Sequence, residues 1–259
     1  MIGLRSWTLC LLLNFFTRTE ADCSSPALRS SNRAPFPTSA TENGESSNLC
    51  KITLPSSDPM DLFKEWYEAA KEAKMPHYSR VCVASSSSSG HVTSRSLVLR
   101  QLDDDGFIVM TDRRSLKVKQ WEENPRAACN FFWGYPQGDR ILARQVRVEG
   151  RMEELSTLAY AHIYEREPLY CKIRSYICNQ GQRVEWDELK ASHDDLLNDV
   201  KAGLRSLPMP EHIIMYKLHP NMMEFYDADD ISIGDRVVFS RDDAMGEWKG
   251  SWKHHHIAA

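Results

Sequence analysis

Several common chemical signatures are missing from this 259-residue chain. There is no Gly-x-Gly-x-x-Gly turn, so a Rossmann dinucleotide site has no support. There is no Gly-x-x-x-x-Gly-Lys-[Ser/Thr] loop, no His-Glu-x-x-His helix and no Ser/His/Asp order of a hydrolase. None of the seven cysteines forms a Cys-x-x-Cys pair, which argues against a zinc or redox centre. Cys82 and Cys129 sit inside apolar strand patterns and read as small buried hydrophobes. No apolar run reaches the roughly 18 residues that span a bilayer. Net charge is −4 with no basic block, so nucleic-acid binding lacks electrostatic support. Adjacent strand residues face opposite ways, so His254-His255-His256 does not make one metal-ligating face. No internal repeat is visible.

What remains has the composition of an ordinary globular protein, with room for one large domain or two small ones. Residues 1–21 begin with a short basic stretch, continue through an apolar run from Trp7 to Phe16 and end near Thr19-Glu20-Ala21. That pattern fits a secretory signal, a poor organelle presequence or an extension of no structural role. Residues 22–56 are rich in Ser, Thr, Asn and Pro without periodicity, and read as disordered. The folded domain is expected over 57–259, with Ser57 or Asp58 capping a helix whose first turn holds Pro59. Leu62, Phe63, Trp66, Tyr67 and Ala70 then recur at helical spacing and should form its core-facing stripe.

Strands are expected at Val81–Ser85, His91–Gln101, Phe107–Thr111, Ala127–Trp133, Ile141–Glu154, Ile213–Leu218, Met223–Tyr226, Arg236–Ser240 and Trp248–Ile257. Asp103-Asp104-Asp105-Gly106 reads as a hairpin turn, and residues 134–140 as a Gly/Pro loop. Helices are expected from Ser115 to Glu123, Leu155 to Glu165, Pro168 to Gln180 and Glu185 to Leu204. Mostly adjacent, hairpin-linked strands point to an α+β protein, an antiparallel barrel with helices inserted.

Three stretches carry chemistry. In Arg144–Gly150, Val146 and Val148 face one way while Gln145, Arg147 and Glu149 face the other. That row can meet a flat polar ligand, and it equally fits a solvated strand with an Arg–Glu pair. Ser94, Arg95 and Ser96 could bind an anion. Thr111–Lys117 leaves a strand, passes Arg113 and Arg114 and enters a helix at Ser115; such a helix start suits a phosphate.

These stretches together resemble the pyridoxamine 5′-phosphate oxidases, FMN-dependent enzymes that make pyridoxal 5′-phosphate. The motifs are Arg-x-Leu-x-Leu-[Lys/Arg] at Arg95, Thr-x-x-x-Ser-x-Lys at Thr111, Arg-Gln-Val-Arg-Val-Glu-Gly at Arg144, Met223-Glu224-Phe225 and Asp235-Arg236-Val237-Val238-Phe239. The resemblance runs from about Asp58 to the end. It implies a split β-barrel homodimer with FMN at the subunit interface, and a B6 vitamer phosphate as substrate. Arg95 and Lys117 would hold the FMN phosphate, and Ser96, Leu97, Val98, Met110 and Thr111 would line the flavin. Gln145, Gln180, Tyr226 and Arg236 would complete the site, several from the partner subunit. Arg100 would meet the substrate phosphate. The implied reaction takes pyridoxamine or pyridoxine 5′-phosphate to pyridoxal 5′-phosphate with O2, releasing H2O2. A cytoplasmic or mitochondrial location would follow.

Several positions depart from the family pattern. Ile163, Glu167 and Cys171 stand where the family has a Tyr, an Arg and a Ser around the substrate phosphate. Glu167 would repel a phosphate, and Arg166 or Lys172 could substitute. Ser232-Ile233-Gly234 replaces Arg-Leu-His, Leu116 replaces a phosphate-contact arginine, and Tyr226 replaces a tryptophan. Three readings stay open: the oxidase itself, an FMN protein acting on another substrate, and a non-catalytic flavin- or vitamer-binding protein.

Overall fold

The computed structural model describes residues 48–241 and 250–259. In chain order these form β1 (Asn48–Leu49), α1 (Pro59–Glu72), β2 (Arg80–Ser86), β3 (Val92–Asp103), β4 (Gly106–Asp112), α2 (Leu116–Glu123), β5 (Arg126–Gln137), β6 (Arg140–Glu154), α3 (Thr157–Glu165), α4 (Leu169–Ile177), α5 (Trp186–Lys201), β7 (Ile213–Ala228), β8 (Ser232–Ile233), β9 (Asp235–Ser240) and β10 (Lys253–Ile257). All lie in one compact unit, Ser46–Ala259.

The large sheet runs β10-β9-β7-β4-β3-β2-β5-β6, and a further β6–β7 pairing closes six strands into an antiparallel barrel. β7 explains the split. Its Ile213–Leu218 half pairs with β4, and its Met222–Asp227 half pairs with β9, while β6 pairs along most of its length. The expected α+β barrel with peripheral helices is the observed fold.

Two sequence expectations differ in detail. The strands expected at Ile213–Leu218 and Met223–Tyr226 are one continuous strand. Pro220 has no N–H to give a ladder, but it sits opposite Gly150, where a bulge shifts the register. A Cβ on Gly150 would lie 2.0 Å from the His219 carbonyl oxygen, so glycine is what lets β6 and β7 cross here. The loop expected at 134–140 is mostly strand. β5 and β6 pair out to Gln137 and Arg140, leaving Gly138-Asp139 as the turn, with Gly138 at φ +61°.

The expected start at residue 57 also falls late. β1 pairs with β8, the Cys50 amide donates to the Ile233 carbonyl, and the Ile52 amide donates to Asp235 Oδ2 while its side chain is buried. Residues 48–56 therefore belong to the fold because their backbone groups and Ile52 find partners on it. The rest of the stretch read as disordered, residues 22–47, lies outside the described residues. So do the segment expected to be a signal, Met1–Ala21, and the expected start of the last strand at Trp248. Among the described residues no helix is long and apolar enough to cross a membrane.

The core is aromatic. Asp58 caps α1 by accepting from the Met60 amide, with Pro59 in the first turn as the sequence suggests. That aims Leu62, Phe63, Trp66 and Ala70 into the barrel, all buried. The Phe63 ring meets Phe107 edge-on at 4.8 Å and Phe131 at 4.9 Å, and Trp66 meets Phe225 at 5.3 Å. Fully buried rings of this kind cost about 3–5 kcal/mol when cut to alanine. A second small cluster, Ile108, Ile163 and Met215, fastens α3 to the outside of β4 and β7. That contact positions the helical layer over the candidate site.

Candidate functional site

Alternation along β3 sends Leu99 into the core and leaves Ser96, Val98 and Arg100 facing out. Outside β3 and β4, the α4 helix and the 179–184 segment cover a cavity of about 470 Å³. That volume suits a cofactor-sized ligand. Seven of the expected residues line it: Ser96, Leu97, Val98, Arg100, Met110, Thr111 and Gln180.

Neither Lys117 nor Arg95 lines the cavity; Lys117 lies directly behind Thr111 and Gln180, which do. Its ammonium donates to Thr111 Oγ1, Ser115 Oγ and Gln180 Oε1, each at 2.9 Å, and the residue is only 3% exposed. All three acceptors are neutral. Burial, then repulsion from the Arg95 guanidinium, lowers its pKa to about 8. Arg95 is half-buried and donates to the Val83 carbonyl, Ser85 Oγ and Thr93 Oγ1, again without a carboxylate; burial lowers its pKa too. Two partly desolvated cations side by side, given only neutral acceptors, make a site that an anion would complete.

The helix start at α2 adds to this. Ser115 occupies the N-cap position of α2, but its side chain makes no capping bond. Its hydroxyl is taken by Lys117, and no side chain answers the first-turn N–H groups. The two arginines of the same segment are already engaged. Arg113 pairs with Glu154, and Arg114 pairs with Asp112 and donates to the Cys178 carbonyl. Lys117 is therefore the cation of this turn that donates to no carboxylate.

Sequence reasoning missed the residues that hold Arg95. Ser85 and Thr93 both donate to Gln120 Oε1, at 2.6 and 2.8 Å, while Gln120 Nε2 donates to the His91 carbonyl. The signal was available, because Gln120 lies three residues after Lys117 on α2 and so shares its face.

The Arg100 side of the cavity is different. Arg100 Nη2 donates to Glu167 Oε2 at 2.8 Å, with the side chains 20% and 5% exposed. The cation expected to meet a substrate phosphate is thus held by the carboxylate expected to repel it. The expected substitutes do not line the cavity: Lys172 donates to the Glu165 carbonyl, and Arg166 is exposed. Arg174, on α4, does line it and is exposed.

Gln145, Tyr226 and Arg236 do not line this cavity. The ladder puts them in one row across β6, β7 and β9, continued by exposed Phe132 on β5. The Arg236 guanidinium lies 4.7 Å from the Tyr226 ring centre, and a Cβ on Gly234 would be 2.7 Å from that ring. Glu224, buried, accepts from both Arg236 and Arg147, and Arg147 also donates to Glu149 at 2.9 Å. Arg147 and Glu149 are supports of the row, with Glu224 as its unforeseen centre.

A family model described as pyridoxamine 5′-phosphate oxidase matches residues 68–185. A pyridoxine/pyridoxamine 5′-phosphate oxidase of Cupriavidus metallidurans is 31% identical over 193 residues, covering 74% of this chain and 86% of the relative. One from Salinibacter ruber is 28% identical over 196 residues and covered to 87%. Among solved structures, PhzG from Burkholderia lata 383, in complex with tetrahydrophenazine-1-carboxylic acid, superposes with a TM-score of 0.69 at 23% identity, covering 82% of this chain and all of that one. A pyridoxamine 5′-phosphate oxidase-related, FMN-binding protein of Nostoc punctiforme gives 0.60 at 15% identity, covering 80% of this chain and all of that one. At those identities the two structures speak for the split-barrel fold, and the curated relatives speak for descent: this chain belongs to the pyridoxine/pyridoxamine 5′-phosphate oxidase family.

Proposed function

We propose that the protein is an FMN-dependent oxidase, with the FMN phosphate at Lys117 and Arg95 and the flavin ring along Leu97, Val98 and Met110. The observation that carries this is the buried Lys117 ammonium surrounded by neutral acceptors and next to a second cation. A phosphate would supply the charge that site lacks, and the open first turn of α2 would add backbone donors.

Bound FMN would supply the two-electron oxidation of an amine- or alcohol-bearing carbon, with O2 as final acceptor and H2O2 as its product. The chain's own part is to bind and orient. Lys117 and Arg95 anchor the phosphate, Gln120 fixes Arg95 through Ser85 and Thr93, and the 179–184 segment shields the cavity from water. Gln145, Tyr226 and Arg236 face out of the barrel as a pre-formed polar and aromatic row, flanked by exposed Phe132. This reading puts that row against the cavity of a second copy, in a homodimer with FMN between the subunits. The relatives' named substrates, pyridoxine and pyridoxamine 5′-phosphate, define the first substrate class to test.

The test is the full-length chain, purified and examined for visible flavin absorbance, for mass in solution, and for peroxide release with a B6 vitamer. A yellow dimer that releases peroxide is expected. A colourless protein that does not take up added FMN would refute the reading.

A further inference from the structure

The cavity is charged unevenly, and its two sides ask for different ligand groups. Behind Thr111 and Gln180 of its lining, Lys117 and its neighbour Arg95 donate to no carboxylate, and Asp112 acts on Lys117 only at longer range. On the lining itself, Arg100 is neutralised by Glu167 at 2.8 Å. We propose that the Arg100–Glu167 pair makes the cavity select a second ligand without a phosphate: a flat ring carrying hydroxyl or amine groups. This rests on the FMN reading, in which the one phosphate of the complex is the cofactor's.

The argument is electrostatic and steric together. Glu167 sits in the bend between α3 and α4, its amide bonded to the Tyr164 carbonyl. Tyr164 and Cys171, either side of that bend, both line the cavity. A phosphate brought to Arg100 would either lie beside the Glu167 carboxylate or displace it. The first is like-charge repulsion at short range in a medium that screens poorly. The second leaves a carboxylate that is 5% exposed without its cation. A neutral hydroxyl or an amine meets neither obstacle. Arg100 donates one hydrogen bond to Glu167, leaving further guanidinium N–H groups for an oxygen or ring nitrogen. Tyr164 and Cys171, which the flavin reading leaves free, line the cavity beside Glu167 and offer a wall for a ring. Arg174 is the further cation to consider; it lines the cavity but is exposed, where a phosphate gains little over its hydration in water.

The experiment uses the full-length, FMN-loaded protein. Pyridoxamine and pyridoxamine 5′-phosphate are titrated separately, with binding read from the change in flavin absorbance and from equilibrium dialysis. Pyridoxamine is expected to bind about tenfold tighter or better, as one uncompensated charge contact of about 1.4 kcal/mol gives. Glu167→Gln keeps the shape and removes the charge, and should shrink that preference by about tenfold with flavin content unchanged. Arg174→Ala should leave the preference where it is. The proposal is overturned if wild-type protein binds the phosphorylated probe as tightly as pyridoxamine or tighter, or if Arg174→Ala abolishes binding of that probe. It is also overturned if neither probe binds a protein that carries FMN. The wild-type comparison decides even if a variant fails to fold. A protein without flavin fails the earlier reading instead, so the two failures are distinct.

Discussion

Arg100 lines the cavity and Lys117 lies behind two of its lining residues, Thr111 and Gln180, and the two cations have opposite environments. Lys117 is buried among neutral oxygens, and its charge is a liability to the empty fold. Arg100 is paired with a carboxylate, and its charge is part of the fold. The difference separates a cation whose charge is unanswered from one whose charge the protein has already answered. A cation left without a counter-ion is destabilised until an anion arrives, and that penalty is returned as binding. A paired cation has no uncompensated charge left to give, only its spare N–H groups.

The sharpest way to break the comparison is to remove each cation and measure stability without FMN. Arg100→Ala leaves Glu167 buried and alone, and should lower unfolding free energy by about 3–5 kcal/mol. Replacing both partners, Arg100→Met with Glu167→Leu, should recover most of that loss, since an apolar pair needs no counter-charge. Lys117→Met should move the other way. Its pKa of about 8 against 10.5 for a free lysine corresponds to about 2–4 kcal/mol held against the folded state. Denaturant titration of the three proteins checks both signs. If Lys117→Met is destabilised as much as Arg100→Ala, the two sites do not differ as argued.

Lys117→Met should also bind FMN less tightly. A charge-assisted contact contributes about 1.5–3 kcal/mol, so FMN affinity should fall about ten- to a hundredfold. Fluorescence titration of flavin-free protein reads this directly. An unchanged affinity would remove Lys117 from the phosphate site.

Acidity sharpens the same contrast without mutation. Between pH 8 and 10.5 the folded, FMN-free protein holds fewer protons at Lys117 than the unfolded chain does. Lys117's contribution to stability should therefore rise with pH across that window, because the unfolded state binds more protons. FMN affinity should run the opposite way. As pH climbs through about 8, Lys117 loses its charge, and affinity should drop by at most tenfold per pH unit for one linked proton. Lys117→Met should flatten both profiles over that range.

The barrel was legible because its signals are local. Strand alternation in β6, the apolar stripe of α1 and the Asp58-Pro59 start each come from neighbours in sequence. Where the fold departs from expectation, the cause is distant. Pro220 is tolerated in β7 because Gly150, 70 residues earlier, makes room at a bulge. Residues 48–56 belong to the fold because β8 and Asp235 receive them. The candidate site divides in the same way. The cavity wall could be read from motifs, but the fate of Arg100 depends on Glu167, separated from it by 67 residues. A sequence shows a guanidinium and a carboxylate; it does not show that they meet.

Gln120 tests the smallest part of this picture. It touches neither end of the cavity, yet it orders Ser85 and Thr93, the two hydroxyls to which Arg95 donates. Gln120→Ala would leave both hydroxyls free to turn, and Arg95 would keep its charge but lose its fixed direction. One neutral hydrogen bond is a matter of about 1 kcal/mol, so FMN affinity should weaken by about fivefold, well short of the loss for Lys117→Met. Because Gln120 is uncharged, the pH profile of FMN binding should keep its shape and only shift in overall strength. A profile that flattens with Gln120→Ala would mean that Arg95's placement, rather than Lys117's burial, governs the titration. The contrast between the paired and the unpaired cation would then have to be drawn at Arg95 instead.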